Sequence, residues 1–100
     1  MKTQKLNITG YCAILKALAH PVRLKIVCGL SKKGMCNVGG MAERLGIAQP
    51  AVSQHLNILK NAGVVTGYRK GVEICYKVQC PEAVKIIQSM DIDFCKEKHI

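Results

Sequence analysis

The chain has 100 residues, 49% of them apolar, and carries a formal charge of +9 from 15 Lys and Arg against 6 Asp and Glu. A chain of this length forms one small domain, here residues 1–100, and its positive charge favours a polyanion as partner. No apolar run has transmembrane length and no signal peptide is present, so we expect a cytoplasmic protein without a membrane partner. In that compartment the 6 cysteines are better explained by packing, metal binding or thiol chemistry than by structural disulfides.

Apolar residues recur at helical spacing in the first two thirds of the chain and predict four helices. The first covers residues 8–18, and His20 is expected to cap or turn the chain before Pro21 begins the second helix, at residues 21–30. A short third helix covers residues 38–45. After a glycine turn, the fourth covers residues 49–62 and stops at a second glycine.

A β-hairpin and a last helix complete the predicted order, ααααββα. The two β-type runs are residues 64–68 and 72–78, and the basic turn Arg69-Lys70-Gly71 separates them. Pro81 begins a final helix that runs to about Lys96. A mainly α chain with a short helix, a glycine turn, a polar-faced helix and a basic hairpin is typical of a winged helix-turn-helix.

The fourth helix is the predicted DNA-reading element. The second helix of a helix-turn-helix enters the major groove near its amino-terminal end. Val52, Leu56 and Leu59 share the inward face, and polar residues lie outside that stripe. A glutamine side chain can form two hydrogen bonds with adenine, and a serine hydroxyl can bond to several different base edges. The candidate base-reading residues are Gln49, Ser53, Gln54 and His55, and the candidate phosphate contacts are Lys60, Arg69 and Lys70.

Three segments closely resemble the ArsR/SmtB family of repressors. They are LKALAHPVRLKIV at residues 15–27, MAERLGIAQPAVSQHL at residues 41–56 and LKNAGVV at residues 59–65. The resemblance covers residues 12–95, and the stretch at residues 49–55 is very specific. It implies a homodimer joined by the first and last helices, which binds a palindromic double-stranded DNA operator and leaves it when an inducer binds or reacts. The apolar faces of those two helices agree with an interface there, though they fit the core of a monomer equally well.

The cysteines resemble in particular those of the SqrR, BigR and HlyU-like dithiol sensors of reactive sulfur. Cys28 on the second helix and Cys95 late in the last helix match the two sensing positions. The resemblance implies that these thiols become linked by a disulfide or polysulfide bridge, which releases the operator. A buried cysteine is also an ordinary small hydrophobic residue, so packing is the competing explanation for each.

A repressor induced by arsenite or another soft metal ion is the alternative. Three converging thiolates suffice for such a site, and Cys12, Cys80 and Cys95 are the candidates. The family's metal site on the third helix would need thiols at Asn37 and Gly39, which this chain lacks.

Three further expectations follow from the residue pattern. The three histidines are far apart in sequence and indicate no metal cluster, and no resident cofactor is expected. A basic architectural protein without an inducer is a third hypothesis. An enzyme is not expected, because the sequence shows no nucleophile with its base, no phosphate loop and no catalytic metal motif.

Overall fold

The structure is a computed structural model that describes residues 7–32 and 37–90. Those residues form the predicted order ααααββα, which confirms the mainly helical winged helix-turn-helix class. None of the helices in the two described stretches is long and apolar enough to cross a membrane. The elements are α1 (Ile8–Leu18), α2 (Pro21–Ser31), α3 (Val38–Leu45), α4 (Gln49–Asn61), β1 (Val65–Lys70), β2 (Glu73–Val78) and α5 (Pro81–Ser89).

Side-chain caps mark where the first three helices begin. Nδ1 of His20 accepts the backbone N–H of Val22 at 3.1 Å, which confirms the predicted capping role at the start of α2. Oδ1 of Asn37 accepts a backbone N–H from the first turn of α3 at 2.6 Å. Gly46 ends α3 with φ at 70°, a left-handed conformation that glycine adopts without steric cost. The tight turn after Gly46 sets α4 against α3.

One apolar core joins the helices to the sheet. It receives side chains from all five helices and from both strands. Burial of each large aliphatic side chain contributes about 1.5–3 kcal/mol. The fully buried members include Ile26, Val27, Met41, Val52, Leu56, Leu59, Val64 and Val65.

The two strands form an antiparallel hairpin, the wing, whose pairing runs from Val65 opposite Val78 to Lys70 opposite Glu73. The prediction placed Arg69 and Lys70 in the turn, but both belong to β1. A two-residue turn suffices here because Gly71 has φ at 67°, which lets the strands pair up to Lys70.

The last helix is shorter than predicted. It ends at Ser89, and Met90 is extended, with φ at −91° and ψ at 126°. The Ser89 hydroxyl donates to the carbonyl of Ile86 at 2.6 Å, a local bond that competes with helix continuation. The prediction of a helix through Met90 is therefore wrong, and its remainder, residues 91–96, lies outside the described residues.

Candidate nucleic-acid interface

The two faces of α4 differ sharply in burial. Val52, Leu56 and Leu59 are at most 1% exposed and fix the helix to the core. Four of the predicted contact residues lie on the solvent side of the same helix, and all are exposed: Gln49, Ser53, Gln54 and Lys60. Residues three and four apart share a helix face, so the sequence pattern produces one anchored side and one open polar side.

Close packing accompanies Gln49 at the start of α4. A Cβ on Gly39 would lie 3.6 Å from Nε2 of Gln49. The Gln49 amide therefore lies beside the first turn of α3, at a distance where even a Cβ on Gly39 would make ordinary van der Waals contact.

The wing carries basic residues at its far end. Arg69 and Lys70 are exposed at the end of β1, and Val72 in the turn is 97% exposed. Lys77 on β2 lies over the ring of Tyr68, with Nζ 5.6 Å from the ring centroid. The cations of the wing thus face solvent, where they can meet another molecule.

Asn37 joins the wing to the helix-turn-helix. Besides capping α3, it donates from Nδ2 to Oε1 of Glu73 at 2.9 Å, and its backbone forms a bridge with Cys75 on β2. Cys75 is fully buried and Ile74 is 42% exposed, as expected for neighbouring residues on opposite faces of a strand. The reading helix and the wing are therefore connected through the beginning of α3.

His55 differs from the other predicted reading residues because it is partly buried and contacts α2. Its ring centroid lies 4.6 Å from that of His20, with 45° between the ring planes. Nη1 of Arg23 lies 3.2 Å from Nδ1 of His55. Burial, and then the neighbouring His20 and Arg23, lower the pKa of His55 below its ordinary value. At neutral pH this ring is therefore uncharged.

The candidate sensing thiols fall in different environments. Cys28 lies on α2 and is 2% exposed, so its side chain packs in the interior. Its predicted partner, Cys95, lies outside the described residues, as does Cys36. The pairing of Cys28 with Cys95 therefore stays a prediction.

Two of the candidate metal-binding thiols, Cys12 and Cys80, line adjoining grooves beside α1. Cys12 is exposed and lines a groove of about 630 Å³ between α1 and the end of α4. Cys80 lines a second groove of about 400 Å³ that shares Ala13, Asn61 and Ala62 with the first. Within residues 7–32 and 37–90, no three Cys, His, Asp or Glu side chains are grouped as a metal site.

Cys80 is held as a thiol at the start of α5. It is 8% exposed and its Sγ lies 3.4 Å from Oε1 of Glu82, to which it donates. Burial is the main cause that raises the pKa of Cys80, and the Glu82 carboxylate adds to it. The protonated form is a weaker nucleophile and metal ligand than a thiolate.

Arg23 and Asn37 were not predicted to support this interface. For Asn37 a signal exists, since asparagine before a helix is a strong cap candidate. For Arg23 the contact to His55 spans 32 positions in sequence, so no local pattern indicates it. The histidines far apart in sequence thus include two, His20 and His55, that the fold brings together.

The fold and this surface define a winged helix-turn-helix regulator of transcription. Residues 20–66 match the family described as "Bacterial regulatory protein, arsR family". The chain is 37% identical over 87 residues to a biofilm growth-associated repressor of Agrobacterium fabrum, covering 87% of this chain and 74% of that protein.

Two solved structures share the fold. Reduced HlyU from Vibrio cholerae is 31% identical with a TM-score of 0.74, covering 81% of this chain and 84% of that one. A homodimeric winged helix-turn-helix DNA-binding domain from Mycobacterium bovis is 25% identical with a TM-score of 0.74, covering 89% and 85%.

The chain belongs to the arsR family and is a transcriptional repressor of that family. The resemblance seen in the sequence is therefore confirmed. Membership in a family of repressors also bears out the expectation that the protein is not an enzyme.

Proposed function

We propose that the protein is a homodimer that binds a palindromic double-stranded DNA operator through α4 and the wing. The opposed faces of α4 carry this proposal. Gln49, Ser53 and Gln54 are exposed at the amino-terminal end, where such a helix enters the major groove, while the other face is anchored in the core. His55 lies at the edge of this surface and was predicted among its readers.

Basic residues on two separate elements support phosphate contacts. Lys60 lies near the end of α4, and Arg69 and Lys70 lie at the end of β1, all exposed. Contacts to phosphates orient a reading helix without specifying sequence. A dimer doubles the formal charge of +9, which strengthens steering toward DNA and the dependence of affinity on salt.

An exposed apolar surface on α1 supports a dimer through the first and last helices. Ile8 is 79% exposed, Leu15 is 50% exposed and Tyr11 is 40% exposed. Such a row of apolar side chains is typical of a surface that another chain covers. The homodimeric relative from Mycobacterium bovis has the same fold.

Selection from random DNA duplexes tests operator binding. We expect enrichment of a palindrome whose half-sites are separated by about one helical turn, since each protomer presents one α4. Gln54→Ala should relax the base preference at one position of each half-site, and Gln88→Ala, which alters an exposed glutamine on α5, should leave every preference unchanged. Enrichment of no sequence would favour the architectural protein instead.

For the inducer, we propose a reactive sulfur species or another thiol oxidant that acts on Cys28 and Cys95. The two thiols lose two electrons and two protons to the oxidant and become joined by a disulfide, or by a polysulfide where sulfur is inserted. The position of Cys28 on α2 and the likeness to HlyU, solved in a form named as reduced, support this proposal. A covalent link between α2 and the segment that carries Cys95 would change how the α4 helices of the two protomers are placed relative to each other.

Operator release after persulfide treatment tests the thiol proposal. The wild type should leave the operator, and Cys28→Ala and Cys95→Ser variants should remain bound. Cys12→Ser is the matched control because Cys12 is exposed and belongs to neither sensing position. Release of the Cys28→Ala variant by persulfide would contradict the proposal, and mass spectrometry of the treated wild type should identify the bridge.

A soft-metal inducer is the second candidate, favoured by one observation. Cys12 and Cys80 line adjoining grooves along α1, so a third thiolate from Cys95 is the group such a site needs. In that case near-stoichiometric arsenite would release the operator and persulfide would not. Cys12→Ser and Cys80→Ser would then abolish the response, whereas Cys28→Ala would not.

A further inference from the structure

A cluster of polar side chains lies where α1 ends, α2 begins and α4 passes over them. Its members, the junction cluster, are His20, Arg23 and His55. His20 caps α2, Arg23 lies in the first turn of α2, and His55 lies on α4 directly after Gln54. The contacts among these three side chains have no part in the proposed binding of bases and phosphates.

Arg23 connects all three helices. Its Nε donates to the carbonyl of Ala17, in the last turn of α1, and its Nη1 lies 3.2 Å from Nδ1 of His55. The last carbonyls of a helix lack partners within the helix, and a cation there also interacts favourably with the helix dipole. One planar guanidinium thus links the end of α1 to α4.

The contacts fix which nitrogen of each histidine carries the proton. A guanidinium only donates hydrogen bonds, so Nδ1 of His55 must present its lone pair to Arg23. Nδ1 of His20 accepts from the backbone N–H of Val22 and must also be unprotonated. A proton added to either Nδ1 would place one donor against another, and two charged rings 4.6 Å apart would repel each other.

We propose that His55 is a positioning residue that holds α4 at the angle needed to read the operator, and that protonation of His55 weakens operator binding in mild acid. The inference rests on the proposed operator binding. His55 occupies the same two helical turns as Ser53 and Gln54, so its attachment to α2 restrains rotation of those side chains about the axis of α4. Base readout demands placement within a fraction of an ångström and about 10–20°.

The sign of the pH dependence follows from the surroundings of His55. Among the described residues, the titratable and charged groups that face its ring are His20, which caps α2, and Arg23 in the first turn of α2. Burial first, and these two groups next, lower the pKa of His55, so the folded protein favours the neutral ring. The contact between Arg23 and His55 therefore stabilises the position of α4 fully above about pH 6.5, the ordinary pKa of histidine. This stabilisation declines as the pH falls below that value.

Operator affinity of His55 variants between pH 7.5 and pH 5.5 tests the proposal. His55→Ala should weaken binding about tenfold at pH 7.5, since Arg23 loses its acceptor. His55→Asn should restore most of that affinity, because the amide oxygen replaces Nδ1. Between pH 7.5 and pH 5.5 the wild type should lose about two- to fivefold more affinity than the His55→Asn variant, which has no proton to gain at this position.

A double-mutant cycle and a charge control separate positioning from other roles. The Arg23→Met and His55→Ala changes should be non-additive, with the double variant no weaker than the weaker single variant. Lys85→Met removes one exposed cation on α5 and should leave the pH profile unchanged. His20→Asn retains a good cap for α2 and removes the neighbouring group that lowers the pKa of His55, so the loss of affinity should begin at a higher pH than in the wild type.

Three results would overturn the proposal. Parallel pH profiles for the wild type and His55→Asn would show that protonation of His55 does not affect binding, and stronger acid binding by the wild type would make His55 a direct contact to DNA. Nitrogen-15 NMR of the wild type without DNA gives an independent answer, since protonated Nδ1 at pH 7.5 on His55 would contradict the hydrogen bond from Arg23. If the wild type bound no operator while NMR showed unprotonated Nδ1, the proposed function would fail and the junction geometry would stand.

Discussion

Helices α4 and α2 carry functional candidates in opposite ways. On α4 the candidate readers Gln49, Ser53 and Gln54 face solvent, and the apolar face holds the helix in place. On α2 every residue from Lys25 to Leu30 is buried, including the candidate sensor Cys28. DNA can therefore bind the exposed side chains of α4 without disturbing the core. A covalent change at Cys28, in contrast, alters the packing of the interior. Substitutions on the exposed side of α4 should therefore leave the stability of the fold unchanged, whereas substitutions in the buried part of α2 should lower it.

The largest effect is expected on the buried side of α4. Leu59→Ala removes a fully buried side chain and should lower the free energy of unfolding by about 2–5 kcal/mol, through reduced burial and the cavity left behind. Urea denaturation measures it. Ser53→Ala on the exposed side is the control and should stay within about 0.5 kcal/mol of the wild type. Equal effects would remove the distinction between the two faces.

The next effect concerns base reading alone. Gln54→Ala should weaken operator binding by about 1–3 kcal/mol and relax the preference at one base pair, since it removes a bidentate pair of hydrogen bonds. Its unfolding curve should match that of the wild type. Fluorescence anisotropy with operator and single-base variants measures both consequences. Gln88→Ala on α5 should behave as the wild type, and a similar loss in that control would argue against a reading role for α4.

The wing should show a different signature from α4. Arg69→Ala should weaken binding to operator and random DNA alike, by up to about tenfold, and should lower the salt slope by about one, because one phosphate is no longer neutralised. Titrations across a range of salt concentrations measure the slope. Lys85→Ala on α5 removes the same charge away from the wing and should leave the slope unchanged. A sequence-dependent loss for Arg69→Ala would instead make this residue a base reader.

The smallest effect tests the link between α3 and the wing. Asn37→Ala should cost about 1 kcal/mol of stability, because it removes the cap of α3 together with the bond to Glu73. Thermal unfolding measures the cost. Glu73→Gln leaves the cap intact and retains an acceptor, so its effect should be smaller. A loss in Glu73→Gln equal to that in Asn37→Ala would place the stabilisation in the side-chain bond rather than in the cap.

Most of the fold could be predicted because its signals are local. Helical periodicity, Pro21 and Gly46 mark α1 to α4 within a residue or two of their observed ends. Strand β1 extends further than predicted, because the turn needs only Gly71 and its neighbour. Helix α5 ends earlier than predicted, since the spacing of apolar residues does not reveal the hydrogen bond from the Ser89 hydroxyl to the carbonyl of Ile86.

The site was predictable where one helix face defines it. The inward stripe of α4 leaves its readers outside, and that follows from spacing alone. The partial burial of His55 depends on Arg23 and His20, which come from another helix, so no spacing within α4 reveals it. The pairing of Cys28 with Cys95 likewise depends on tertiary placement and stays a prediction.

The most direct measurement of the central claim compares operator and scrambled duplex at about 0.15 M salt, with the wild type and Gln54→Ala side by side. A repressor that reads bases through α4 should bind its operator at least about a thousandfold more tightly than the scrambled duplex. Gln54→Ala should lose much of that preference while its affinity for scrambled DNA stays the same. Equal affinity of the wild type for both duplexes would contradict the assignment of α4 as the reading helix.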